Sequence, residues 1–446
     1  MARRERTRPP REQANPPGDG EARDGDRAGL GPRRAALRLL NAVTGEGMLL
    51  SDARAAAMMA QLPPEGRARA QRLALETLRN LSRADGWLAP RLRKAPPLGV
   101  RNALRLGAVE IAQGAAGHGV VNAVVALVAE GKRTEGFRGL ANAVLRALAQ
   151  EGPEGWTGLP APVLPEWLRE PLVESWGDAA VESMEAAHLA GAPLDLSAKG
   201  DPGELAQVLG GQLLPTGTVR LDAGVQVTAL PGYQEGAFWV QDAAAALPAL
   251  VLGVGPGERV LDLCAAPGGK TLQMAARGAE VTALDISAPR LERLRDNLAR
   301  TGLKAQVVQG DALEFEDGGW DAILLDAPCS ATGTIRRHPD LPVARDGAEI
   351  AELLELQARL IDHALSLLKP GGRLVFATCS ILPEEGEEQA EAALGRHPGL
   401  AVEAPDGPGL DPAWRVELGL RTRPDHWADL GGMDGFFVTR LRKPGA

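Results

Sequence analysis

An alternation that begins at Gly257 restricts this chain more than any other feature. Six short apolar runs, Val260–Leu263, Val281–Leu284, Gln306–Val308, Ala322–Leu325, Leu374–Ala377 and Phe436–Leu441, are separated by segments of helical period. One such segment, Pro289–Arg300, ends at Gly302, and another, Ile350–Leu368, stops before Pro370-Gly371-Gly372. Buried strands alternating with helices predict an α/β, Rossmann-like domain: a mostly parallel sheet with helices on both faces. Ligands of such sheets sit at the carboxyl ends of the strands. The residues just past each run are therefore the candidates for chemistry.

After the first run comes Cys264-Ala265-Ala266-Pro267-Gly268-Gly269-Lys270-Thr271, opening a helix. Its glycines would let backbone approach a ligand closely, and a helix N-terminus favours a negative group. A phosphate-binding Walker loop needs glycine where Cys264 stands, and the dinucleotide pattern G-x-G-x-x-G is absent. A tight structural turn would also explain the glycines. Acidic residues change that balance. Asp285 ends the second run, where a carboxylate can accept from both hydroxyls of a ribose. Asp311 follows the third run and Asp326 ends the fourth. One such aspartate could be a helix cap; three at successive strand ends point to a nucleoside. With a ribose partner but no pyrophosphate clamp, S-adenosylmethionine fits better than NAD or ATP. Sulfur occupies the remaining ends, as Cys329 in Asp326-Ala-Pro-Cys329-Ser330 and Cys379 in Thr378-Cys379-Ser380. A single cysteine is usually a small buried hydrophobe, but all three in the chain fall at this one edge. No C-x-x-C pair exists and the histidines lack ligand spacing, so no metal is expected. A thiolate beside a methyl donor suits a carbon that is unreactive until attacked.

Upstream, the chain changes character. Residues 1–31 are rich in Pro, Gly, Arg and Asp and are expected to form a disordered tail. Residues 32–150 show helical periodicity broken by Pro63-Pro64, Pro96-Pro97 and glycine turns, which predicts an all-α bundle. Residues 151–165, with four prolines and three glycines, read as a linker, and 166–240 as a small α+β insert before the catalytic domain at 241–446. The net charge of −9 conceals a split: 31–150 carries 18 Lys/Arg against 8 Asp/Glu, and 151–446 carries 24 against 44. A basic block joined to an acidic one suggests polyanion contact by the basic half. A solvated arginine face on a helical bundle would give the same count. No apolar stretch is long enough to span a membrane and no disulfide framework is present, so a reduced, soluble, cytoplasmic protein is expected.

The stretch CAAPGGKT, Asp285, Asp311, DAPCSATGTIRRHPD (326–340) and TCS (378–380) resembles the Nop/Sun family of RNA cytosine-5 methyltransferases. Gln241-Asp242 and Asp434-Gly435-Phe436-Phe437 fit it as well. The helical region is similar to the domain of the antitermination factor NusB through Arg105-Leu106-Gly107-Ala108, Val121-Asn122-Ala123-Val124 and Ala141-Asn142-Ala143-Val144-Leu145-Arg146. Together the two resemble the Sun-type small-subunit (16S) ribosomal RNA methyltransferases. Where that family often has Arg-Val-Asn before the catalytic domain, this chain has Leu194-Asp195-Leu196-Ser197-Ala198-Lys199.

The resemblance implies a methyl transfer from S-adenosylmethionine to carbon 5 of a cytosine. It places Cys379 as the nucleophile at carbon 6 and Cys329 as the residue that resolves the adduct. Asp326 would hold N3 or the exocyclic amine, and Lys270 would lend positive charge near the thiol or a phosphate. Cys264, Ala265, Ala266, Pro267, Gly268, Gly269, Lys270, Asp285, Asp311 and Asp326 would line the donor. Arg336, Arg337 and His338 would contact RNA phosphates, with Arg421 and Arg423 as weaker candidates. The expected partner is ribosomal RNA, with the protein monomeric. Transfer RNA is an alternative substrate, and an antitermination-like RNA-binding protein without catalysis is an alternative class.

Overall fold

The computed structural model describes residues 19–445, which fall into two compact units divided between Pro160 and Ala161. The first is all helical. Its central helix, Leu98–Ala112, is buried on every side and packs Leu104 and Ala108 against Val124 and Leu145 of its neighbours. Its buried Asn102, Arg105 and Glu110 are tolerated there only because each finds a polar partner. Gly107 makes the packing possible, because a Cβ there would come within 2.9 Å of Leu145. Arg105, two residues earlier, is tied to Asp85 (Nε to Oδ1, 2.7 Å) and Asn102 (2.9 Å).

Two boundaries differ from expectation. Residues 1–18 of the expected tail lie outside the described residues, but 19–31 belong to the helix Asp19–Glu46. Arg33 pins that helix through a buried pair with Glu110 (2.8 Å), and once a helix is nucleated each further turn is cheap. The first part of the expected linker is folded too. Trp156 packs edge-on against Trp87, ring centres 5.6 Å apart, and Arg83 lies over it, so the helical unit continues to Pro160.

In the second unit a small antiparallel sheet precedes the large one. Its strands are β1 (Leu194–Ala198), β2 (Gln212–Leu213), β3 (Val219–Leu221) and β4 (Phe238–Val240), in spatial order β2-β3-β1-β4. The large sheet contains β5 (Arg259–Leu263), β6 (Glu280–Asp285), β7 (Gln306–Gln309), β8 (Trp320–Asp326), β9 (Leu368–Thr378), β10 (Ala401–Glu403), β11 (Arg415–Val416), β12 (Gly419–Thr422) and β13 (Phe436–Arg442). Strands β9-β8-β5-β6-β7 are parallel; β13 pairs antiparallel with β9 and carries β12 and β10. The central strands are buried on both faces, which is why Val260–Leu263 and Ala322–Leu325 read as nearly continuous apolar runs. Chain order reverses between β5 and β8, and that switch point opens the crevice where ligands of such sheets bind.

The region 166–240 is not a free-standing insert. Helices Glu166–Trp176 and Asp178–Ala190 bury Leu168, Leu172, Val181 and Met184 against Ile335, Ile381 and Leu382, next to the two cysteine segments. Asp195 on β1 takes both nitrogens of Arg220 at 2.7 Å, and Arg220 donates to Leu430 O (2.7 Å) and Gly432 O (2.8 Å). The segment that departs from the family pattern is thus a buried anchor for the loop before β13.

Candidate active site

The loop after β5 is shaped by its neighbours. Cys264 has φ +60° and Gly268 has φ +103°, with a cis Ala266–Pro267 bond between them. A Cβ on Gly268 would lie 2.2 Å from Leu294, and one on Gly269 would lie 3.3 Å from Gln241. Gly268 therefore packs against the helix Ala288–Thr301, where a side chain would not fit. Asp285 fixes the same loop: Oδ2 accepts from Ala266 N (3.0 Å) and Oδ1 from Ser287 N (2.8 Å). Each oxygen keeps a further lone pair. Next to it Ile286 is 68% exposed, an apolar face the sequence reading passed over. Asp311 is exposed, its Oδ1 accepting from Leu313 N (2.9 Å). A carboxylate with spare acceptor capacity, an apolar side chain beside it and the N-terminus of Gly269–Ala276 make a donor set that fits an adenosine moiety.

Lys270 donates to Asp326 Oδ2 at 2.6 Å and lies over Phe436, 5.2 Å from the ring centre. Its ammonium is paired with Asp326, a partner the sequence reading did not name. Cys264 is likewise removed from nucleophilic chemistry. Burial, then the carboxylates of Asp285, Asp326 and Asp262, pushes its thiol up to about 12.

Parallel pairing of β8 with β9 sets Asp326 opposite Ala377, so the segments leaving these strands run side by side. Sγ of Cys329 lies 3.4 Å from Sγ of Cys379. Hydrogen bonding to Cys379, burial, and the charges of Cys379 and Glu385 push the Cys329 thiol well above its usual range. Glu385, unmarked in the sequence, sits in a turn after β9 and holds Ser330 N (2.9 Å) and Ser330 Oγ (2.5 Å). Asp262 is a second unforeseen carboxyl, fully buried on β5 and accepting from Thr271 Oγ1 at 2.5 Å. Burial pushes it up to about 7.

The proposed phosphate contacts require correction. Arg336 is 1% exposed and bonds Asp434 Oδ1 (3.0 Å), Asp242 Oδ2 and Gly431 O (3.0 Å). A guanidinium spent on two buried carboxylates has nothing left for RNA. His338 is neutral near pH 7, because burial and the neighbouring Arg337 push it down to about 4. Arg421 is buried and paired with Glu387, and Arg423 pairs with Asp425 at 2.9 Å. Arg337, tied to Asp434 by Nε (2.8 Å), keeps its side chain 37% exposed, which leaves an edge open to a ligand.

Comparison with known proteins agrees with this geometry. Residues 249–442 match the family model described as 16S rRNA methyltransferase RsmB/F, and residues 31–150 match the NusB family. Ribosomal RNA small subunit methyltransferase B of Salmonella arizonae and of Salmonella typhi are each 47% identical over 234 residues, covering 50% of this chain and 51% of theirs. The match thus spans about half the length of these curated relatives. Among solved structures, PH0851 (24% identity, TM-score 0.73) covers 93% of this chain and 98% of its own, and shares the fold. A methyltransferase homolog from Pyrococcus horikoshii (28% identity, TM-score 0.51) covers 63% of this chain and 99% of its own. The chain thus joins a helical region that matches the NusB family to a region that matches the 16S rRNA methyltransferase RsmB/F family model.

Proposed function

We propose that the chain methylates carbon 5 of a cytosine in small-subunit ribosomal RNA through a covalent link between Cys379 and carbon 6. One observation carries this reading: two thiols 3.4 Å apart at the sheet edge that also holds Asp326 and the donor cradle. S-adenosylmethionine, when bound, supplies the methyl group as an electrophilic sulfonium. The remaining work falls to the chain. Asp285 and Ile286 would hold the ribose and adenine, with the loop Cys264–Gly269 as backbone support. Asp311 would reach the same nucleoside.

Carbon 5 of cytosine is a poor nucleophile until a sulfur adds to carbon 6 and makes it enamine-like. Cys379 takes that role. Asp326, held by Lys270, accepts from the exocyclic amine and keeps the base in register. After transfer, carbon 5 carries both a methyl group and a proton. Loss of that proton drives the electron pair back and breaks the bond from carbon 6 to Cys379 sulfur. Cys329 assists as a thiolate that takes the carbon-5 proton and so returns to the thiol form its surroundings favour. The cytosine must leave its stack to enter such a site.

Arg337 would touch a flanking phosphate through its open edge. The helical unit supplies the broader RNA contact: Arg67, Arg72, Arg93, Lys94, Lys132 and Arg133 are exposed there, and none forms an ion pair among the described residues. Bisulfite sequencing of 16S ribosomal RNA treated with the protein and S-adenosylmethionine tests the proposal. A single protected cytosine is expected. Labelled methyl appearing in RNA with no protected cytosine would refute the carbon-5 assignment.

A further inference from the structure

We propose that Glu385, together with Gln357, is a positioning clamp that sets Cys329 for resolution of the covalent adduct. The inference rests on the two-thiol reading above and adds two residues that neither the motifs nor the comparisons single out.

Glu385 closes the turn Pro383–Glu385, and Thr378 Oγ1 donates to its backbone oxygen at 3.0 Å. Its position is thus set by the last residue of β9, one step before Cys379. The side chain is fully buried, yet no cation pairs with it among the described residues. Its carboxylate is held by hydrogen bonds alone. Oε1 accepts from Ser330 N (2.9 Å) and Gln357 Nε2 (3.1 Å), and Oε2 accepts from Ser330 Oγ (2.5 Å). Gln357, from the helix Ile350–Leu367, also donates to Pro328 O at 2.9 Å.

The residues on either side of Cys329 are therefore gripped by one pair of side chains. Pro328 is held through its carbonyl and Ser330 through its amide and hydroxyl. Cys329 itself makes no part of the clamp, so its sulfur is left facing Cys379. A buried carboxylate without a counter-charge is costly unless several donors satisfy it. The arrangement also links the two cysteine segments through a single side chain: Glu385 moves with β9 and Cys379, while Ser330 moves with Cys329. Their spacing is thereby fixed without a bond between the sulfurs.

The clamp touches neither Cys379 nor the donor cradle, so it bears on resolution and not on attack. Reacting groups displaced by about 1 Å lose up to roughly a hundredfold in rate. The test uses the full chain, 16S ribosomal RNA transcript and S-adenosylmethionine, with denaturing gels that separate free RNA from protein-linked RNA. Cys329→Ala and Cys379→Ala run beside Glu385→Ala, Gln357→Ala and Glu385→Gln.

Glu385→Ala should form protein-linked RNA in the first turnover at close to the unmodified rate, then release it roughly ten- to a hundredfold more slowly. Gln357→Ala, which removes only the grip on Pro328 and one donor to Glu385, should show the same defect more weakly. It also serves if Glu385→Ala does not fold. Glu385→Gln keeps an acceptor for Ser330 N and Gln357, and its amide can donate to Ser330 Oγ, so it should restore release. If neither alanine variant accumulates linked RNA while Cys329→Ala does, the clamp is refuted. Equal slowing of attack and release would refute it too, as a general loss of structure. Should Cys329→Ala itself fail to accumulate linked RNA, the two-thiol reading falls instead.

Discussion

Asp262 shows how much a single side chain can report. It is fully buried, accepts one hydrogen bond from Thr271, and holds its proton up to about pH 7. In the unfolded chain the same group ionises near its usual 3.8. Between those two values the folded state binds the extra proton, so stability falls as pH rises through that window. Asp262→Asn keeps an acceptor for Thr271 and cannot ionise. The melting temperature of this variant, relative to the unmodified protein, should therefore climb from about pH 4 to about pH 7; a constant difference would place the ionisation elsewhere. Asp285 carries a different prediction. Asp285→Ala should weaken S-adenosylmethionine binding by about 1.5–3 kcal/mol, since charge-assisted hydrogen bonds are lost. The same change frees Ala266 N and Ser287 N, so calorimetry should be paired with a melting curve. Unchanged affinity would mean that the ribose is held by other residues.

Elements explain why the sequence was legible at some positions and opaque at others. The six strands of the alternation stand where the apolar runs put them, and in β5 and β8 a parallel sheet buried on both faces leaves little choice of residue. Cys264, Asp285, Asp326, Cys329 and Cys379 could be placed at strand ends from the alternation alone, and they lie at or just past the ends of β5, β6, β8 and β9. Arg336 could not be judged that way. Its neighbours Asp242 and Asp434 are distant in sequence and meet it only after β13 pairs with β9. Burial alone would push the Asp242 carboxyl up, but Arg336 and Arg337 reverse this and hold it below its usual range. Glu385 was invisible for a similar reason: nothing in a run of glutamates marks the one that turns inward onto Ser330. The assignment of Arg336 to structure makes a prediction. Arg336→Ala strands the buried carboxylate of Asp242, takes one of the two cations from Asp434, and should cost about 3–5 kcal/mol of stability. Arg337→Ala, at a half-open position, should cost far less stability and instead weaken RNA binding. Equal melting temperatures for the two variants would contradict this division.

At the scale of the molecule, the helical unit is basic and the second unit acidic. On the proposed function, steering of RNA would therefore fall to the helical unit. Residues 1–160 alone should bind ribosomal RNA with affinity that drops steeply with salt, by roughly 0.7–0.9 logarithmic units per neutralised phosphate per decade of salt. Salt-independent or absent binding would make the basic surface a merely solvated face. The account as a whole stands on the separate roles of two sulfurs 3.4 Å apart. The most direct measurement is denaturing electrophoresis of each cysteine variant after incubation with S-adenosylmethionine and ribosomal RNA. Cys329→Ala should give a slow-migrating, denaturant-resistant protein–RNA band, and Cys379→Ala and the double variant should give none. A band for Cys379→Ala and none for Cys329→Ala would exchange the two roles, and no band for either would contradict the covalent mechanism.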